Sequence, residues 1–321
     1  MKYIVVNIFF LFVTYSYSYS QGSLYCGPYK KSAPIVFNNI NDTVINLLEI
    51  SNSKGHCIEL NYCSNVIIKN CKLGPAKGQG INLYNCKNIT VLNCSIDSIA
   101  TGVYAGASTG IKVLYNDMKN VIGPMPRGQM VQFAEVFGEN NYIKYNALEN
   151  IPGQSFPEDA ISLFKSKGTV NNPIKVIGNW IRGGGPSTSG GGIMTGDQGG
   201  SYILVQDNIL VDPGQYGITI ASGHHISIKN NKIYARQQSF NSVGISAYKQ
   251  YPIECFADTI LNNQVNYRFK DGSLNNLLNS GDFGVIYGWS TNYYNPNLSP
   301  NMLPNKIIGR CEQKNHIHQI K

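Results

Sequence analysis

Charge is scarce in this chain of 321 residues: Asp, Glu, Lys and Arg together make up 14%, with a net charge of +8. The positive excess is spread along the sequence and never gathers into a Lys/Arg block, which argues against nucleic acid as a partner. Long apolar runs are missing too. After the N-terminus no segment approaches the 18 apolar residues of a membrane span, so stable membrane insertion is not expected. No CxxC pair and no His-rich zinc spacing is present, and no organic cofactor is expected. A mildly basic, weakly charged chain is compatible with an acidic partner, for which acidic polysaccharide is the natural extracellular class.

What the sequence does contain is repetition. A short apolar strand recurs as Cys57-Ile58-Glu59-Leu60, Gly80-Ile81-Asn82-Leu83, Gly102-Val103-Tyr104-Ala105, Met130-Val131-Gln132-Phe133, Ala160-Ile161-Ser162-Leu163, Gly192-Ile193-Met194-Thr195, Gly217-Ile218-Thr219-Ile220 and Gly244-Ile245-Ser246-Ala247, at intervals of 22 to 32 residues. A second column carries Cys71, Cys94, Asn116, Asn146, Asn179, Asn208, Asn231 and Asn263, each two residues before an apolar one. That period with short strands marks a β-solenoid, in which one unit stacks on the next. Stacked about 4.8 Å apart, the Asn amides can bond to one another and satisfy a buried turn.

The expected architecture is all-β: one parallel β-helix of about eight to nine coils spanning 35–265, closed by terminal caps. Residues 21–34 form an N-terminal segment and 266–321 a C-terminal cap and tail, which shields the open strand edges. Residues 1–20 read as an export signal: Lys2, an apolar run from Ile4 to Val13, and Ser18-Tyr19-Ser20 before Gln21. A signal anchor is the alternative. The protein is expected to be secreted and monomeric. Of eight cysteines, Cys63 with Cys86 and Cys71 with Cys94 lie one repeat apart and are expected as stacked buried thiols. Bridges are expected, if anywhere, between Cys255 and Cys311, with Cys26 and Cys57 a further pair.

The repeats lengthen in the middle, with intervals of 28, 30 and 32 residues between Val103, Val131, Ile161 and Ile193. Loops that lengthen together on a regular scaffold wall a groove. Four residues beyond the inward Ile or Val, a column reads Glu135, Lys165, Asp197 on successive coils there. It is either a solvated charge ladder or a catalytic row, with Glu158 and Asp159 opening the same strand as Lys165. Candidate substrate-binding residues are Tyr104, Gln132, Phe164, Arg182, His224 and Tyr248, since exposed rings stack on sugar faces. The competing reading for the rings is plain strand preference, and for His224 with His225 a turn filler.

The segment Glu158-Asp159-Ala160-Ile161-Ser162-Leu163-Phe164-Lys165-Ser166 resembles the Glu…Lys-Ser stretch of parallel β-helix alginate lyases and chondroitinase B, and the wider repeat over 35–265 resembles the right-handed, pectate-lyase-like β-helix superfamily. The resemblance implies β-elimination on a uronate-containing polysaccharide, with Lys165 as base and Ca²⁺ at Glu158 and Asp159. It departs where that family places an Arg-His-Gly, because the strand here reads Met194-Thr195-Gly196-Asp197; Arg127 or Arg182 would have to reach in from loops. Hydrolysis by Glu135 and Asp197, at the spacing of an inverting pair, is the second reading. A non-catalytic glycan-binding solenoid is the third.

Overall fold

The computed structural model describes residues 27–280 and 282–309. The export-signal reading, Cys26 and Cys311 lie outside them. The chain winds into three parallel sheets of 10, 10 and 11 strands, in which each interior strand pairs with its counterparts one coil before and one coil after. Ile58–Asn61, Ser64–Lys69 and Lys72–Ala76 make one coil, with one strand in each of the first, second and third sheets. No helix among the described residues is long and apolar enough to cross a membrane.

Strand alternation builds the core. Ile58, Ile81, Val103, Val131, Ile161, Ile193, Ile218 and Ile245 pair in unbroken register down the first sheet, and each is 0% exposed. Each such side chain contributes roughly 1.5–3 kcal/mol by leaving water, so the rod is held by its axis rather than by a central globule. Corners are made by single residues at positive φ. Tyr62, Asn85, Ala107, Glu135 and Lys165 turn the first sheet into the second.

At the next corner stands the expected amide ladder. Asn146 Nδ2 donates to Asn179 Oδ1 at 3.0 Å and to the Val113 carbonyl at 3.0 Å, while the Asn146 N–H donates to the same Asn179 oxygen at 3.1 Å. The pattern repeats from Asn116 to Asn263, all buried. It ends one rung later than expected: Asn263 Nδ2 donates to Asn292 Oδ1 at 2.7 Å. The coils run past 265, since Leu277–Asn279, Ile286–Tyr287 and Tyr293–Tyr294 extend the three sheets. Asn292, whose neighbours read as cap, supplies the final amide. At the other end Cys94 takes over, its N–H donating to Asn116 Oδ1 at 2.9 Å. Cys57, Cys63, Cys71, Cys86 and Cys94 are buried free thiols, as expected for the two stacked pairs. Burial pushes the Cys57 thiol up to about 11 and Cys94 well above its ordinary range, so neither is reactive.

Candidate functional site

The outer face of the first sheet forms a groove of about 590 Å³. Its walls are the long loops expected there: Met125 to Gln129 on one side, Ser189 on the other, with Gln250 and Tyr251 at the far end. Tyr104, Gln132, Ser162, Phe164 and Met194 form the floor. The outward column is not freely exposed along its length. Met194 packs with Tyr216, Ala221, Val243 and Tyr251, and Thr219 and Ser246 are buried beside them. The groove floor therefore narrows toward Tyr251, where Met194 is packed in.

The Glu135, Lys165, Asp197 column does not form. Ser162 pairs with Met194, but Phe164 pairs with Asp197, because one extra residue bulges between them. Gly196 makes the bulge. It sits at φ +66, and a Cβ there would lie 1.8 Å from the Ser222 carbonyl oxygen. The bulge moves Asp197 off the corner and onto the groove floor beside Phe164, and hands the corner to Gln198. Glu135 and Lys165 stay on the corner, where with Phe137, Lys167 and His224 they line a separate hollow of about 320 Å³. Sequence counting cannot detect a one-residue slip of this kind.

The groove collects three carboxylates. Asp197 Oδ1 accepts from Tyr251 Oη at 2.6 Å. Burial raises its pKa, against the opposing pull of that hydrogen bond and of Lys165. Asp159 is buried at the groove's back wall, and its Oδ1 accepts from Tyr216 Oη and, at 3.1 Å, from the Gly191 N–H. Burial first, with help from the charges of Asp197 and Glu158, pushes Asp159 up to about 7 despite these bonds. Glu158 Oε2 accepts from Ser187 Oγ at 2.9 Å and Ser189 Oγ at 2.8 Å. Among the described residues no group of three His, Cys, Asp or Glu side chains has the geometry of a metal site. Asp159 Oδ1 and Glu158 Oε2 are each taken by two protein donors.

The remaining expected residues divide. Tyr104, Gln132 and Phe164 line the groove. Arg127, on the loop, donates from Nη1 to Gln132 Oε1 at 3.0 Å and lies 4.3 Å from the centre of the Tyr104 ring. Arg182 does not reach the groove. It ends a strand of the third sheet, pairs with Glu149 and donates to the Pro304 and Asn305 carbonyls at 2.7 and 3.0 Å. His224 stacks on Phe256 at 4.5 Å beside the smaller hollow, and Tyr248 is 52% exposed and lies outside the groove lining. Tyr216 and Tyr251, which hold the two aspartates, act across 57 and 54 residues, a separation no local spacing reveals.

Residues 33–197 match the family described as right handed beta helix region. A search of curated proteins finds no match.

Proposed function

The chain belongs to the right-handed beta helix family, and from that premise we propose that it is a secreted polysaccharide-active protein that hydrolyses a glycosidic bond in the first-sheet groove. One observation carries the proposal: two aspartates with raised pKa values, Asp159 and Asp197, stand in one groove in unlike environments. Environments that separate two carboxylates are how acid and base are assigned at near-neutral pH. Asp159 is the acid. Its Oδ1 is occupied by two donors, so Oδ2 carries the proton toward the leaving oxygen. Asp197 is the carboxylate that acts on water or on the sugar, held by Tyr251 and favoured in its charged form by Lys165.

Tyr104, Phe164 and Arg127 are the sugar-binding surface, the rings for apolar sugar faces and the guanidinium for an acidic or hydroxyl substituent. Fold alone does not decide this, since one scaffold hosts many activities.

The second reading is β-elimination with Lys165 as base and Ca²⁺ at Glu158 and Asp159. What favours it is that Lys165 acts electrostatically on Asp197 and Arg127 stands across the groove. Incubation with pectate, alginate, glucuronan and glycosaminoglycans separates the two. Hydrolysis releases reducing ends with no conjugated unsaturated uronate in the ultraviolet, survives EDTA, and is abolished by Asp159→Asn. Elimination gives the absorbance, requires the metal, and is abolished by Lys165→Ala.

A further inference from the structure

The outer face of the second sheet carries a charge pattern that the groove does not use. Its strands Ser64–Lys69, Lys87–Leu92, Thr109–Leu114, Tyr142–Lys144 and Ile174–Ile177 are successive rungs, and each contributes one lysine: Lys69, Lys87, Lys112, Lys144 and Lys175. Lys229 follows two coils later on His224–Lys229. Lys112, Tyr142 and Lys175 stand in one column, while Lys144 stands in the next column between Leu114 and Ile177. The Tyr142 ring sits among these charges, with Lys144 Nζ 4.1 Å and Lys175 Nζ 5.5 Å from its centre.

No counter-charge on the sheet answers them. The ten strands of this sheet contain two carboxylates, Asp42 and Asp258. Asp42 lies on the first rung and accepts from Asn65 Nδ2; Asp258 is buried and accepts from the Ile226 N–H. Of the flanking carboxylates, Glu139 accepts from Thr169 Oγ1 and Asp207 from Gln206 Nε2. Ion pairs among the described residues are Lys72–Glu49, Arg182–Glu149 and Arg236–Asp212, none of them on this face. Like charges on neighbouring strands destabilise a sheet, so the pattern does nothing for folding. Burial and the charge of Lys175 both lower the pKa of Lys144, in keeping with cations that lack an anion.

A flat face with cations on successive rungs matches a linear polymer with anions at regular intervals. The absence of arginine from these strands argues against bidentate phosphate recognition, and the sheet's other stacked rings, Tyr202 on His225, lie on later coils than the Lys112, Tyr142 and Lys175 column. We propose that this face is a second surface, separate from the groove, for a linear acidic polysaccharide lying across the stacked strands, with a sugar face on Tyr142 and carboxylates or sulfates at the lysines. It stands whether or not the groove is catalytic.

The test compares the full chain with K112E/K144E/K175E for binding to polygalacturonate and to heparin, with dextran as the neutral control, over a range of salt. Wild type is expected to bind one or both polyanions and not dextran. Charge reversal is expected to weaken that binding about tenfold or more and to flatten its salt dependence, because fewer counterions are released. Lys119→Gln, a cation on the third sheet and outside both surfaces, is expected to leave it unchanged. Should the triple variant not fold, Lys112→Gln and Lys175→Gln read out the same loss of salt slope one charge at a time. Unchanged polyanion binding on charge reversal, equal binding of dextran, or tighter binding of single-stranded RNA or anionic-lipid vesicles than of either polysaccharide would overturn the proposal.

Discussion

Replacing Asn179 by Ala removes the middle of the amide ladder. The side chain is 0% exposed and takes part in four hydrogen bonds. It donates to the Ile143 carbonyl at 3.0 Å and to Asn208 Oδ1 at 2.9 Å, and accepts from the Asn146 N–H at 3.1 Å and Asn146 Nδ2 at 3.0 Å. Truncation orphans the Asn146 N–H outright. It also leaves the Ile143 and Asn208 oxygens and the Asn146 amide each one bond short. A buried unsatisfied group costs about 1–3 kcal/mol, and partial losses together with the small cavity bring the total to about 3–5 kcal/mol. At roughly 2–4 °C per kcal/mol in a large domain, the melting temperature falls by about 10 °C. Because each rung contacts only its neighbours, the loss is local first. Amide exchange should rise in the coils carrying Asn146 and Asn208 before it rises at Asn263. Asn179→Asp should be as damaging at neutral pH and partly recover in acid, where a protonated carboxyl can again donate one bond. A melting temperature within about 3 °C of wild type for Asn179→Ala would refute the view that the ladder amides hold the coils together.

Three further outcomes follow from the site. Asp159 and Asp258 are both raised by burial from 3.8 to about 7, so the folded state holds protons that the unfolded chain releases. Stability from these protons is complete below about 3.8 and declines as pH rises through about 7; in urea titrations Asp159→Asn should remove part of that slope and Asp159→Asn/Asp258→Asn more of it. Tyr251→Phe deletes a hydrogen bond that favours ionised Asp197, so the acid limb of the pH–rate profile should move upward, and an unmoved limb would mean Asp197 is not the group titrating there. Gly196→Ala meets the Ser222 carbonyl at 1.8 Å and forces a side chain into the left-handed region, so it should disturb the bulge that presents Asp197; a variant with wild-type stability and turnover would show that the bulge does not position it.

The fold was legible because it is periodic. Ile58 and Ile245 announce the same inward position, and the offset from Asn116 to Met118 recurs at every Asn of the column, so register could be counted without structure. Asn292 escaped because the strands around it shrink to two residues each and the apolar signal fades. The site was legible only where it follows the period. Tyr104, Gln132 and Phe164 line the groove because their columns are undisturbed, and Asp159 stands out in the sequence for its place at the start of the Lys165 strand. Its bond to Tyr216 comes from the next coil but one, and burial, not its place in the sequence, raises its pKa. Asp197 is offset from the Glu135 and Lys165 corner by a single bulged residue, which counting does not reveal, and it shares the groove with Asp159 while still feeling the charge of Lys165.

The most direct test of the groove assignment is the product and pH profile of wild type beside Asp159→Asn and Asp197→Asn on one cleaved polysaccharide. The account predicts new reducing ends without unsaturated product, an alkaline limb near 7 set by Asp159, and a loss of turnover of about 10²-fold or more in each variant with binding retained. Undiminished turnover in both variants, or an unsaturated product abolished by Lys165→Ala, would contradict it.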